Sequence, residues 1–113
     1  MTDEALPLEI DVAELHAMRE SNAPHVLWDV REEDEYAVAK IDGSRLIPMS
    51  SIQDELESLR ADADQRIIVQ CHHGGRSMRV TRWLRANGFD HAQNLAGGID
   101  AWSQAIDPTV PRY

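Results

Sequence analysis

Cysteine is nearly absent from this chain: 113 residues hold only one, Cys71. No disulfide can form within it, which fits a reducing compartment. Apolar runs are short as well, none approaching the roughly 18 residues that span a bilayer. The opening residues, Met1-Thr2-Asp3-Glu4, are acidic where a secretory signal would be basic, and no apolar stretch follows them. The expected location is the cytoplasm, without a membrane partner. Positive charge is scarce: 11 Lys and Arg against 20 Asp and Glu leave a net charge of −9. Proteins that neutralise phosphate backbones carry the opposite balance, so nucleic acid is not an expected partner. Repeats, low-complexity tracts and Gly/Ser linkers are also missing. With 42% hydrophobic and 27% charged residues, the chain reads as one folded domain over 1–113, expected to be a monomer.

What is present alternates between two kinds of segment. Leu8-Glu9-Ile10 predicts a short strand, and Asp11-Val12-Ala13-Glu14 a capping box opening a helix to about Ser21. Val12, Leu15 and Met18 or Arg19 would face inward. His25 to Val30, after Pro24, is a mostly apolar strand, and Glu32 to Ala39 a polar, helix-prone stretch. Arg45-Leu46-Ile47 is a brief strand stopped by Pro48. Ser50 or Ser51 can cap a helix bearing Ile52, Leu56 and Leu59 at helical spacing.

Arg66-Ile67-Ile68-Val69-Gln70 is β-branched and continuous, the pattern of a strand buried on both faces. Ser77 to Asn87 predicts a helix with Val80, Trp83 and Leu84 on one side and Gly88 as its C′ residue. Ala92 to Leu95 reads as a last strand and Gly98 to Gln104 as a last helix. The core spans about 8–104, with 105–113, containing Pro108 and Pro111, as an irregular tail. Strands alternating with helices imply an α/β fold: a mainly parallel sheet of about five strands, helices on both faces. Ligands in such sheets bind beyond the carboxyl ends of the strands. Cys71 lies at one of those ends.

The loop Cys71-His72-His73-Gly74-Gly75-Arg76-Ser77 surrounds that thiol with anion-favouring groups. It leads into a helix N-terminus, whose free N–H groups and dipole favour negative charge. Gly74 and Gly75 permit tight backbone conformations that turn N–H groups inward. Arg76 adds a permanent charge on a fork suited to oxyanions. A lone cysteine by itself is usually a small buried hydrophobe. In this setting it reads as a nucleophile, since the thiolate is the reactive form.

Cys71-x-x-Gly74-x-Arg76-Ser77 resembles the active-site loop of single-domain rhodaneses. Three further stretches resemble that family in the same order. They are Leu27-Trp28-Asp29-Val30-Arg31 with the acidic and aromatic run to Tyr36, Ile41-Asp42-Gly43-Ser44 before Ile47-Pro48, and Asn94-Leu95-Ala96-Gly97-Gly98-Ile99-Asp100-Ala101-Trp102. Together they span roughly 8–104. One departure is Ala39-Lys40-Ile41 where rhodaneses commonly have Gly-His-Ile.

The resemblance implies a rhodanese-like three-layer α/β fold and sulfur transfer in two steps. Cys71 would take the outer sulfur of thiosulfate or of a persulfide donor, then pass it from a persulfide to cyanide or a thiol. His72, His73, Gly74, Gly75, Arg76 and Ser77 would bind substrate, with Arg76 on the sulfonate of the donor. The resemblance implies no cofactor, and it admits a sulfur-carrier protein as partner.

Two other readings remain open at this point. A phosphatase or arsenate reductase of the same fold class typically places its arginine six positions after the cysteine; here Arg76 follows Cys71 by five. A regulatory or sulfur-relay module without turnover of its own would keep the same loop. A metal on Cys71, His72 and His73 is not expected, because consecutive residues on a tight loop rarely converge on one ion. His16, His25 and His91 read as ordinary surface or strand-edge histidines.

Asp29 and Arg31 are candidates for the rim of the site, although Asp29 is more simply a carboxylate bonded to backbone or to Arg31. Arg31 with Glu35 reads as a local ion pair. Trp28, Trp83 and Trp102 read as core. Arg79, Arg82 and Arg85 repeat every three residues, either as a solvated face or as a positive docking surface for an acidic partner.

Overall fold

The computed structural model describes residues 6–113; the acidic Met1-Thr2-Asp3-Glu4 start lies outside the described residues. Five strands form one sheet: β1 (Glu9–Ile10), β2 (Val26–Asp29), β3 (Arg45–Leu46), β4 (Ile67–Gln70) and β5 (Ala92–Leu95). Their spatial order is β1-β5-β4-β2-β3, and every pairing is parallel. β4 is central, with Ile67, Ile68 and Val69 sealed from solvent. Each such side chain contributes about 1.5–3 kcal/mol of burial.

Helices cover both faces, as expected for parallel strands joined by crossovers. α1 (Val12–Glu20) and α5 (Gly98–Ala105) pack on one face through Val12, Leu15, Met18, Ile99 and Trp102 against Leu27, Ile68 and Leu95. α3 (Leu56–Leu59) and α4 (Gly75–Ala86) cover the other through Leu59, Val80 and Leu84 against Trp28, Val30, Ile67 and Val69. α2 (Glu33–Val38) buries no side chain fully and sits at the carboxyl end of β2. Among the described residues no helix is long and apolar enough to cross a membrane.

Several local expectations need correction. The Asp11 side chain caps α1 by accepting from the Glu14 N–H at 2.8 Å, but Glu14 does not reach back. Its carboxylate pairs with Arg66 at 2.9 Å, a full charge that outcompetes one backbone donor. The segment after Pro48 is a broken helix, with 3₁₀ turns at Ile52–Glu55 and Arg60–Asp62 flanking α3. Neither serine caps it: Ser50 donates to Glu32, and Ser51 to the Pro48 carbonyl. α4 begins at Gly75, two residues before the expected start, and buries Ser77 and Thr81 where Trp83 is only half-buried. The tail beyond α5 has no regular structure but is tied down, with Val110 in the core and its carbonyl held by the Ser103 hydroxyl.

Candidate active site

Cys71 directly follows β4 and is 1% exposed. Its sulfur takes the position of a capping side chain for α4. The helix opens on Gly74, which has φ 108° and no side chain to cap with. Sγ accepts from the Gly74 N–H at 3.1 Å and from the Ser77 N–H at 3.4 Å. The Ser77 hydroxyl oxygen lies 3.3 Å away. The orphan donors of a helix start are thereby spent on a sulfur atom, with the positive dipole end behind them.

The Ser77 hydroxyl has a single proton and a second acceptor, Asn94 Oδ1, in a short contact. Asn94 cannot turn over, because its Nδ2 donates to the Glu9 carboxylate at 2.8 Å. When Cys71 is a thiol, Ser77 donates to Asn94 and presents a lone pair to the S–H. The same proton is the only one Ser77 can offer to Sγ. Glu9, Asn94 and Ser77 thus form a relay from β1 to the sulfur. Asn94 stands opposite Val69 in the register, on the strand next to β4, and so reaches the same sheet end.

A second helix start shapes the loop from outside. The Ile99 and Asp100 N–H groups of α5 donate to the carbonyls of Cys71 and His72 at 2.9 and 3.1 Å. Drawing those oxygens outward leaves the loop N–H groups facing the sulfur. Such an approach requires glycine at Gly98, where φ is 58° and a Cβ would lie 2.6 Å from the His72 oxygen.

Arg76 is half-buried and grips Glu35 with two bonds of 2.6 and 2.8 Å. Those bonds hold the Glu35 carboxyl at about 2, well below its ordinary 4.5. Glu35 Oε1 also accepts from the Glu32 N–H at 3.2 Å, which fixes its direction. Tyr113 completes this group. Its hydroxyl accepts from Arg31 Nη1 at 2.8 Å and donates to Glu35 Oε2 at 2.8 Å. Its ring stacks on His72 at 3.9 Å. Burial, then the neighbouring His73, push His72 below its ordinary value.

Asp29 and Arg31 are not at the rim. Both are 0% exposed and joined by a bond of 2.7 Å, because two residues past the strand end bring the guanidinium over the carboxylate. Burial works against the Arg31 charge, but hydrogen bonds to Asp29 and Tyr113 hold it above its ordinary value. Nor do Arg31 and Glu35 form an ion pair: Arg31 reaches only the Glu35 carbonyl, at 3.4 Å.

His73 is exposed and, with His72 and Asp100, offers ligand atoms within 4.8 Å of one another. The two imidazoles are stacked at 3.8 Å with 27° between their planes. Asp100 is engaged by Arg112 and Gln104. Lys40 stands apart, its ammonium 5.4 Å over the Tyr36 ring, on a cleft of about 390 Å³ that includes no residue of the Cys71 loop.

The sequence reading missed Glu35 as the partner of Arg76, and also Asn94, Glu9 and Tyr113. Only Asn94 had a signal, as a polar residue in an otherwise buried strand beside β4.

Fold and site together define an α/β protein whose cysteine sits at a strand end inside a loop that turns N–H groups onto its sulfur. Residues 11–105 match the rhodanese-like domain family, and the chain belongs to it. It is 36% identical over 95 residues to the thiosulfate sulfurtransferase GlpE of Stutzerimonas stutzeri, covering 84% of each protein. It is 33% identical over 109 residues to the adenylyltransferase and sulfurtransferase MOCS3-2 of Zea mays, covering 92% of this chain and 23% of that one. The chain thus spans about a quarter of the length of this larger relative. A rhodanese-like domain protein from Staphylococcus aureus has the same fold, with a TM-score of 0.79 and 33% identity over 95% of this chain and 99% of that one.

Proposed function

We propose that this chain is a sulfurtransferase that carries sulfane sulfur as a persulfide on Cys71. The observation that carries the reading is the convergence of the Gly74 and Ser77 N–H groups and the Ser77 hydroxyl on a buried Sγ. That arrangement suits an anionic sulfur before, during and after transfer. The relatives named as sulfurtransferases support the same class.

The electrostatics around Arg76 favour one donor over another. Thiosulfate attacked by a thiolate gathers three negative charges at the sulfur: the thiolate bond forms, the S–S bond breaks and sulfite leaves as a dianion. A protonated persulfide R–S–SH gathers one, with R–S⁻ leaving and Cys71–S–SH remaining. The Arg76 charge is already answered by Glu35, although three of its five N–H donors remain for hydrogen bonding. A persulfide is the better matched donor, and thiosulfate the poorer one. The acceptor is a thiol, with cyanide as its laboratory substitute.

The test is intact mass after incubation with thiosulfate or with an alkyl persulfide, for the natural chain and for Cys71→Ser. Gain of one sulfur in the natural chain only, removed by cyanide, is the expected result. No adduct from either donor would overturn the reading and send the protein to phosphatase and arsenate reductase assays.

A further inference from the structure

The chain carries 11 positive side chains against an excess of carboxylates. Six of these arginines form ion pairs with Asp or Glu. Arg19 and Arg85 hold backbone carbonyls, and Lys40 lies over a tyrosine ring. Arg85 therefore drops out of the stripe seen in the sequence, since it clamps Leu6, Pro7 and Ala92 rather than facing a partner. Only Arg79 and Arg82 have no carboxylate, carbonyl or ring partner among the described residues. Both are exposed, and they are three residues apart on α4.

Arg79 edges a groove beside the loop, and Arg82 flanks it on the side away from Val80. Residues three and four apart share a helix face, so Arg76, Arg79, Val80 and Trp83 form one stripe leading away from the Cys71 loop. Along that stripe lies a groove of about 180 Å³, lined by Met49, Ile52, Gln53, Arg79, Val80 and Trp83. Its floor is apolar, and its edge carries a cation with no carboxylate partner among the described residues. Tryptophan and arginine beside an apolar pocket are the side chains that most often anchor protein interfaces.

We propose that this groove and the Arg79–Arg82 edge dock an acidic segment of the protein thiol that receives sulfur from Cys71. The inference rests on the sulfur-transfer reading above. The acceptor thiolate attacks the outer sulfur of Cys71–S–SH, that sulfur's bond to Sγ breaks, and Cys71 is released as thiolate with no oxidant or reductant required. The helical rise sets Arg79 and Arg82 about 6 and about 10 Å along the axis from Gly75. An extended peptide covers about 3.3 Å per residue. Carboxylates a few positions from the acceptor cysteine would therefore meet both arginines while the thiol reaches the loop.

Two labelled peptides test this, one with Asp, Leu and Glu placed three to six positions after a cysteine, the other with Lys replacing the acids. Binding is read by fluorescence anisotropy with serine in place of the peptide cysteine, so it does not depend on sulfur chemistry. The acidic peptide is expected to bind, more weakly as salt rises, and the basic one not to bind. Arg79→Glu with Arg82→Glu should weaken binding about tenfold, whereas Arg45→Glu with Arg60→Glu, the same charge change elsewhere, should not.

With the cysteine peptide, transfer from sulfur-loaded protein should slow about tenfold in the α4 double variant, while transfer to cyanide keeps its rate. Absence of binding, equal binding of both peptides, equal slowing with cyanide, or tighter binding of a single-stranded oligonucleotide would each overturn the proposal. If no sulfur loads onto Cys71, the sulfur-transfer reading fails, and the anisotropy still decides the docking face.

Discussion

Arg31 and Arg76 each grip a carboxylate with paired hydrogen bonds, yet the two pairs are built to opposite ends. Asp29 and Arg31 are two residues apart and fully buried, whereas Glu35 and Arg76 are 41 residues apart and 19% and 33% exposed. Arg31 uses every N–H it has, on Asp29, the Tyr113 hydroxyl and the Glu35 and Ala39 carbonyls. Arg76 uses two of its five on Glu35. A sealed and satisfied pair fixes the strand end and the turn after α2. A pair open to water, with donors to spare, sets how much positive charge the Cys71 loop shows to a ligand. Burial, not charge or geometry of the pair, divides structure from chemistry here.

Breaking the sealed pair should cost most. Asp29→Asn leaves Arg31 buried without its counter-charge, and a loss of about 3–5 kcal/mol is expected in denaturant unfolding. A loss below about 1 kcal/mol would erase the contrast with the open pair.

Glu35→Gln should cost less, about 1–3 kcal/mol after solvent screening, while uncovering the Arg76 charge. Turnover with thiosulfate is then expected to rise about tenfold in kcat/KM, and turnover with an alkyl persulfide to change little. Equal change with both donors would show that Arg76 does not discriminate between them.

The same pair has a pH signature. The Glu35 carboxyl is lowered from 4.5 to about 2 by Arg76, so its contribution to stability is complete above about 4.5 and disappears as pH falls through about 2. The stability difference between the natural chain and Glu35→Gln should shrink across that window. NMR titration of the carboxyl carbon checks it directly, and a midpoint near 4.5 would show the pair to be open in solution.

Tyr113→Phe should be the mildest change. It removes one hydroxyl from both pairs but keeps the stack on His72, with about 1 kcal/mol or less expected. A larger loss would mean that the two pairs stand or fall together.

How much of this was legible in the sequence depended on distance along the chain. β4, the loop and α4 follow from contiguous residues: a β-branched run, two glycines and a helical apolar stripe. The surroundings of Cys71 were legible because its neighbours Gly74 and Ser77 are what its sulfur touches. Arg76 was legible as a cation but not as a paired one, because Glu35 lies on another helix and only the packed sheet brings them together. The bond between Asp29 and Arg31 was legible, because they are neighbours in sequence, but their depth was not. Their place at a strand end suggested the rim, while their pairing let the fold bury both.

The broken helix around α3 shows another limit. Ile52, Leu56 and Leu59 have helical spacing, but without a cap a segment this short is marginal, and tight 3₁₀ turns take both its ends. Tyr113 carried no signal at all, since a terminal tyrosine after two prolines reads as tail.

The hold that α5 keeps on the loop carbonyls has a consequence for the order of events in folding. Ile99 and Asp100 reach back 28 residues to Cys71 and His72, and β5 must slot between β1 and β4 before they can do so. During synthesis the cysteine leaves the ribosome well before the parts that make it a cradle. Until residues beyond 92 arrive, the carbonyls of Cys71 and His72 lack these partners. The loop thus takes its final shape only once the last strand and helix have docked.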